Sequence, residues 1–189
     1  MIKSRGLIIL FLLFFFAGLL SRPASASPRV WPGRRLSLGA GISLGAFNSC
    51  PSFILAAAFP LHPRLAAEAE FAYYFNPAEE EQNPPPGFHR SSAGLGLSLS
   101  GTCALGKPGG RVTPYLGLGA TSLYLSTLTD RPPAEREILS RSRFAAALFG
   151  GLLISLGSRA GMGFEARRLF LSGGEGNVLR LSAGAYYVF

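Results

Sequence analysis

From residue 35 onward, apolar residues recur at every second position in eight separate stretches. In residues 35–47, Leu36, Leu38, Ala40, Ile42, Leu44 and Ala46 alternate with Ser37, Gly39, Gly41, Ser43 and Gly45. Successive strand side chains point to opposite faces, so this stretch predicts a strand with one large apolar face and one very small face. Phe53, Leu55, Ala57 and Phe59 mark a second strand. Residues 65–75 predict a third, with Leu65, Ala67, Ala69, Phe71, Tyr73 and Phe75 on one face and Glu68, Glu70, Ala72 and Tyr74 on the other. Residues 91–103, 112–125, 143–155 and 159–170 continue the series. In the last stretch, 178–189, Leu179, Leu181, Ala183, Ala185, Tyr187 and Phe189 alternate with Val178, Arg180, Ser182, Gly184, Tyr186 and Val188. Helical spacing is poor throughout, and glycine sits inside nearly every segment.

The connections alternate as well. Short turns follow strands two, four and six, at 60–64, 106–110 and 156–158. Long polar loops follow strands three and five, at 76–90 and 126–142, and modest links follow strands one and seven. This arrangement predicts an all-β fold, an eight-stranded antiparallel up-and-down transmembrane β-barrel over residues 35–189, with short turns and both termini on the periplasmic side. A secreted soluble ligand-binding barrel would alternate too, but its second face would meet water and carry Lys, Glu, Thr and Asn. Here the second face is mainly Gly, Ser and Ala. Such a face suits the crowded interior of an eight-stranded barrel and turns the Leu-rich face to lipid. Phe53, Tyr73, Phe75, Tyr124 and Phe144 fall at the outer strand ends and Phe59 and Phe189 at the inner, which predicts two aromatic girdles.

Composition agrees with a protein whose solvent is not only water. Apolar residues are 48% and charged residues 15% of the 189, against about 25% charged in soluble domains. Lys3 and Arg5 precede an apolar run from Leu7 to Leu20 and an Ala24-Ser25-Ala26 cleavage signal, so 1–26 reads as a signal peptide and 27–34 as a periplasmic lead-in. The apolar run is shorter than the roughly 20 residues of a spanning helix. Removing Lys3, Arg5 and Arg22, with no acid, takes the formal charge from +8 to +5. No basic stripe is interleaved with stacking aromatics, so nucleic acid is not an expected partner.

The C-terminal strand ending on Phe189 resembles the terminal strand of bacterial outer-membrane barrels, where a last aromatic residue and alternate apolar ones form an assembly signal. On that likeness Ala185, Tyr187 and Phe189 would be read by the barrel-assembly machinery. The segment Val112-Thr113-Pro114-Tyr115-Leu116-Gly117-Leu118-Gly119-Ala120, the stretch 60–75 (PLHPRLAAEAEFAYYF) and Gly163-Phe164-Glu165-Ala166-Arg167 are similar to segments of the outer-membrane protein β-barrel domain family, the small OmpA/OmpX/Opa-type barrels. The resemblance covers the whole mature chain. It implies a cell-envelope protein in outer-membrane lipid and lipopolysaccharide, with a structural or surface-interaction role. The motifs specify a barrel and no activity.

Glu68, Glu70, Glu165, Arg167 and Arg180 fall on inward faces. Unpaired burial would cost each several kcal/mol, so these charges are expected to pair and plug the lumen. A narrow channel for small solutes is the alternative. Arg131, Arg136, Arg141, Arg143 and Arg168 are placed on outer loops and rim, where guanidinium groups could form paired hydrogen bonds with lipopolysaccharide phosphates. Lipid A-modifying enzymes are also eight-stranded barrels and use Ser, His and an acid. His89, Asp130 and Ser91 could supply them, but no local motif fixes a nucleophile beside a base. The expectation is therefore a non-enzyme. No cofactor and no metal are expected, the run Glu79-Glu80-Glu81 reading as a solvated loop. Cys50 and Cys103 fall at opposite strand ends, about 30 Å apart by strand rise, which predicts that they do not bond to each other.

Overall fold

The structure is a computed structural model that describes residues 33–46, 49–75, 77, 89–107, 110–130, 137–173 and 176–189, with the backbone alone at His89, Arg90, Asp130 and Glu137. Residues 1–26, expected to be a signal peptide, residues 27–32 of the expected lead-in, the Glu79–Glu81 run, Arg131 and Arg136 lie outside the described residues. Eight strands follow one another around a closed barrel in sequence order. They are β1 (Arg35–Gly45), β2 (Cys50–His62), β3 (Leu65–Phe75), β4 (His89–Ala104), β5 (Val112–Asp130), β6 (Glu137–Ser155), β7 (Ala160–Leu171) and β8 (Asn177–Val188). Each neighbouring pair is antiparallel, and β1 closes the barrel on β8 from Arg35↔Val188 to Gly45↔Val178. Closure leaves no edge within the wall, which is how a sheet satisfies its backbone in lipid.

The two faces sort by size. The outward one carries Leu38, Ile42, Leu116, Leu118, Leu148, Phe164 and Leu181, all exposed. The inward one buries Tyr74, Tyr115, Leu123, Phe149, Leu153, Leu169, Val178 and Tyr186 as a core filling the lumen. Most girdle residues are exposed as expected. Phe59, next to the bulge between Pro60 and His62, is buried instead.

Several inward glycines are explained by what stands across from them. Gly117 is paired with Phe149, Gly161 with Tyr186 and Gly151 with Tyr115. A Cβ at Gly117 would run into the Phe149 ring, and one at Gly161 into the Tyr186 ring. Each glycine is a recess into which the neighbouring aromatic lies, the cross-strand pairing that offsets glycine's weakness in a strand.

Strand length departs from the sequence expectation on one side of the barrel. β5 and β6 run 19 residues each and absorb most of the loop expected at 126–142, while β4 begins at His89 rather than 91 and β2 at Cys50. The ladder β5·β6 continues from Val112↔Ile154 up to Thr129↔Glu137. Along residues 138–142 of β6 both faces are exposed, so the apolar alternation stops there while the backbone hydrogen bonds do not.

Cys50 pairs with Ser43 at one rim and Cys103 with Leu65 at the other, and neither is in a disulfide.

Candidate functional site: an ion-pair network across the lumen

β3 and β7 stand four strands apart in a barrel of eight, and so face each other across the lumen. Glu68 and Glu70 are two residues apart on β3, and Glu165 and Arg167 two apart on β7. Period-two alternation therefore aims both pairs inward. Arg180 enters from β8. Its two terminal nitrogens donate to both oxygens of Glu70, at 2.8 and 2.6 Å, and Nη2 also reaches Glu165 Oε1 at 3.3 Å. Arg167 donates from Nε to Glu165 Oε1 at 2.8 Å and from Nη2 to Glu68 Oε1 at 3.2 Å, with Nη1 3.2 Å from Glu70 Oε1. These five charges, assigned inward from sequence, meet in one cluster.

The sixth member was missed. Arg35, the first residue of β1, donates from Nη2 to Glu68 Oε2 at 3.1 Å and is 4% exposed. Its position was legible: it shares the face of Ser37 and Gly39. The network thus holds three carboxylates and three guanidinium groups and is formally neutral. Aromatics complete it. The Arg167 guanidinium lies 4.1 Å over the Phe149 ring, and Tyr115 donates to Glu165 Oε2 at 3.1 Å. Neutrality and paired hydrogen bonds are the two conditions under which buried charges are tolerated.

Beside the network is a cavity of about 60 Å³ whose lining includes Arg35, Ser37, Glu68, Tyr115, Ser182 and Tyr186. One water needs roughly 10–15 Å³ of such space, so the cavity has room for a few waters. Among the described residues no group of three or more His, Cys, Asp or Glu is placed to hold a metal ion.

Of the rim arginines, the described ones, Arg141, Arg143 and Arg168, do not share one face. Arg141 and Arg143 of β6 share the inward parity of Ala145 and Ala147, and Arg141 stands exposed above the rim. Arg168 pairs with Leu148, seven residues further along β6 than Arg141, on the outward face. Seven residues of rise are about 24 Å. Arg168 is the one charged side chain on the outward face of the strands among the described side chains, with its guanidinium 5.1 Å over the Phe170 ring. At the other rim, Ala185, Tyr187 and Phe189 keep outward parity, and the Tyr187 and Phe189 rings meet edge-to-face at 5.3 Å. The register sets His89 directly opposite Asp130, with Ser91 two residues further along β4 on the same face.

No protein-family model matches the chain, and no curated protein does. Solved structures do. A major outer membrane protein from Thermus thermophilus superposes with a TM-score of 0.62 at 14% identity, covering 82% of this chain and 99% of that one. Neisserial surface protein A gives 0.57 at 14% identity over 82% and 96%. Ail, the attachment invasion locus protein of Yersinia pestis, gives 0.56 at 15% identity over 82% and 97%. The chain has the fold of the small eight-stranded outer-membrane β-barrels.

Proposed function

We propose that this protein is a small integral outer-membrane barrel with a structural and surface-interaction role, its lumen closed by side chains. The observation that carries this reading is the neutral six-residue network spanning the lumen inside a wall whose outward face is apolar. The signal peptide exports the chain, and the termini sit in the periplasm. Ala185, Tyr187 and Phe189 engage the assembly machinery. Arg168 extends from the apolar band toward the headgroups, as long basic side chains do, and contacts a lipopolysaccharide phosphate.

The test is gel mobility in SDS, with and without boiling, of protein from an outer-membrane fraction, followed by planar-bilayer recording. A heat-dependent shift with a silent bilayer is expected. A single band from the soluble periplasmic fraction would overturn the membrane reading, and steady conductance steps would replace the plug with the narrow solute channel.

A second reading rests on the His89↔Asp130 register with Ser91 on the same face. Nucleophile, base and orienting acid are the residue types of ester hydrolysis. Release of acyl chains from lipopolysaccharide by the native protein, abolished by Ser91→Ala, would establish it. No release from the native protein would leave the structural role alone.

A further inference from the structure

At the end of the barrel that carries the short turns, an arginine stands before each strand that starts there. Arg34, Arg64, Arg111 and Arg159 immediately precede β1, β3, β5 and β7. Their carbonyls accept N–H bonds from Phe189, Ala104, Ser155 and Val188 at 3.0, 2.8, 2.8 and 2.7 Å. Each arginine backbone is thereby fixed as the last rung of the wall. His62 and Lys107 lie at the same end. Among the described residues no Asp or Glu side chain does. Of the ten acids, Glu68, Glu70 and Glu165 belong to the lumen network, and the rest fall at or between the opposite strand ends.

Facing separates three of these arginines from the fourth. Arg64 is bonded opposite Ala104, Arg111 opposite Ser155 and Arg159 opposite Val188. Ala104 and Val188 are buried in the lumen core, and the Ser155 hydroxyl meets that of Tyr186 there at 3.1 Å. Directly opposed residues share a face, so Arg64, Arg111 and Arg159 have inward parity. All three are exposed, and so stand in the mouth of the barrel below its packed interior. Arg34, one residue before the inward Arg35, has outward parity.

The register sets the three level. Followed once around the barrel, the ladder that leaves β1 at Arg35 returns to it at Gly45, ten residues further along over eight strands. The rung of Arg64 runs through Ala104 to Tyr115 on β5 and Glu165 on β7. The climb is about 2.5 residues by β5 and about 5 by β7, so the height of Arg64 falls near residues 112–113 and 160. Arg111 and Arg159 therefore lie about one to two residues below it, roughly 3–7 Å. An eight-stranded barrel is just wide enough for side chains to fill, so three guanidinium groups entering from alternate strands reach a common centre.

A terminal phosphate presents three oxygens, one for each guanidinium, and the arginine fork matches phosphate geometry. Rings of basic side chains serve anions and phosphate in pores. We propose that Arg64, Arg111 and Arg159 form a binding site for a terminal phosphate group at the short-turn mouth of the barrel. The buried Tyr186, two residues above Val188 on β8, lies over the site.

The experiment uses the full folded chain in phosphatidylcholine nanodiscs. The readout is the NMR shift of the arginine Nε–H signals on titration with glycerol 3-phosphate, with glycerate as the carboxylate counterpart. A saturable one-to-one shift of Arg64, Arg111 and Arg159 is expected, with weaker binding of glycerate. Arg111→Gln and Arg159→Gln should each weaken the affinity roughly tenfold, the loss of one hydrogen bond to a charged group. Arg34→Gln, on the same rim but facing outward, should leave it unchanged. These substitutions leave the backbone bonds in place, and the heat-dependent gel shift should persist in all of them. Nanodiscs containing phosphatidic acid separate the two sources of such a phosphate. Shifts at the same three signals before titration, with weakened glycerol 3-phosphate binding, assign the site to a lipid headgroup; unchanged signals and affinity assign it to a soluble phosphomonoester. No shift with either source overturns the proposal. Equal weakening by Arg34→Gln, or equal affinity for glycerate, overturns it in favour of diffuse rim charge.

Discussion

Consider Arg180→Met, which removes one cation from the neutral lumen. Arg180 makes both short bonds to Glu70, at 2.8 and 2.6 Å, and a third contact to Glu165 at 3.3 Å. Without it Glu70 keeps the Arg167 Nη1 at 3.2 Å, and three carboxylates face two guanidinium groups. Breaking one partner of a buried pair costs about 3–5 kcal/mol. With a urea slope near 2 kcal/mol/M, the unfolding midpoint should fall by roughly 1.5–2.5 M. Glu70→Gln should fall comparably, because Arg180 and Arg167 then share two carboxylates with Arg35. The double variant restores neutrality, since Glu68 and Glu165 then balance Arg35 and Arg167. Its loss should be far smaller than the sum of the two singles. The assay is urea unfolding of the refolded protein in lipid vesicles, followed by the unboiled gel band. A solvated pair is worth at most about 1 kcal/mol. If each single variant moved the midpoint by less than about 0.5 M, or the double lost the full sum, the lumen would not be a dry, paired interior.

Three further outcomes follow from the same geometry. Gly117→Ala drives a methyl group into the Phe149 ring, so it should cost about 1–3 kcal/mol by urea unfolding, and Phe149→Leu in the same chain should recover part of that. Arg168→Gln should weaken lipopolysaccharide binding roughly ten- to hundredfold, since a hydrogen bond to a charged group is worth about 1.5–3 kcal/mol; unchanged lipid content in the purified barrel would remove Arg168 from the contact. Cys50 and Cys103 should leave gel mobility unchanged by reductant, and Cys50, 1% exposed, should react with a maleimide only after unfolding.

Most of the wall was legible because period-two alternation reports burial directly where one face meets lipid and the other a packed lumen. Leu38, Leu118 and Leu181 fell on the expected side for that reason, and so did Glu68 and Arg180. Above the rim the signal fails on β6, since residues 138–142 are exposed on both faces. The sequence there reads as loop although the ladder persists. Arg35 was overlooked because it opens its strand, where a charge reads as a rim residue until the register sets it level with Glu68, one strand away across Ala58. The expected topology placed Arg141, Arg143 and Arg168 at the same outer rim, whereas parity and register set them on different faces and at different heights.

The uneven strand lengths also decide how the barrel would bear a load. β5 and β6 are joined from Val112↔Ile154 to Thr129↔Glu137, the longest seam among the described residues. A pull on this tall side away from the membrane runs along these strands, so it shears the seam instead of unzipping it. Sheared bonds resist together, while unzipped bonds break one at a time. The tall side of this barrel is therefore built like a lap joint, strongest along its own strands.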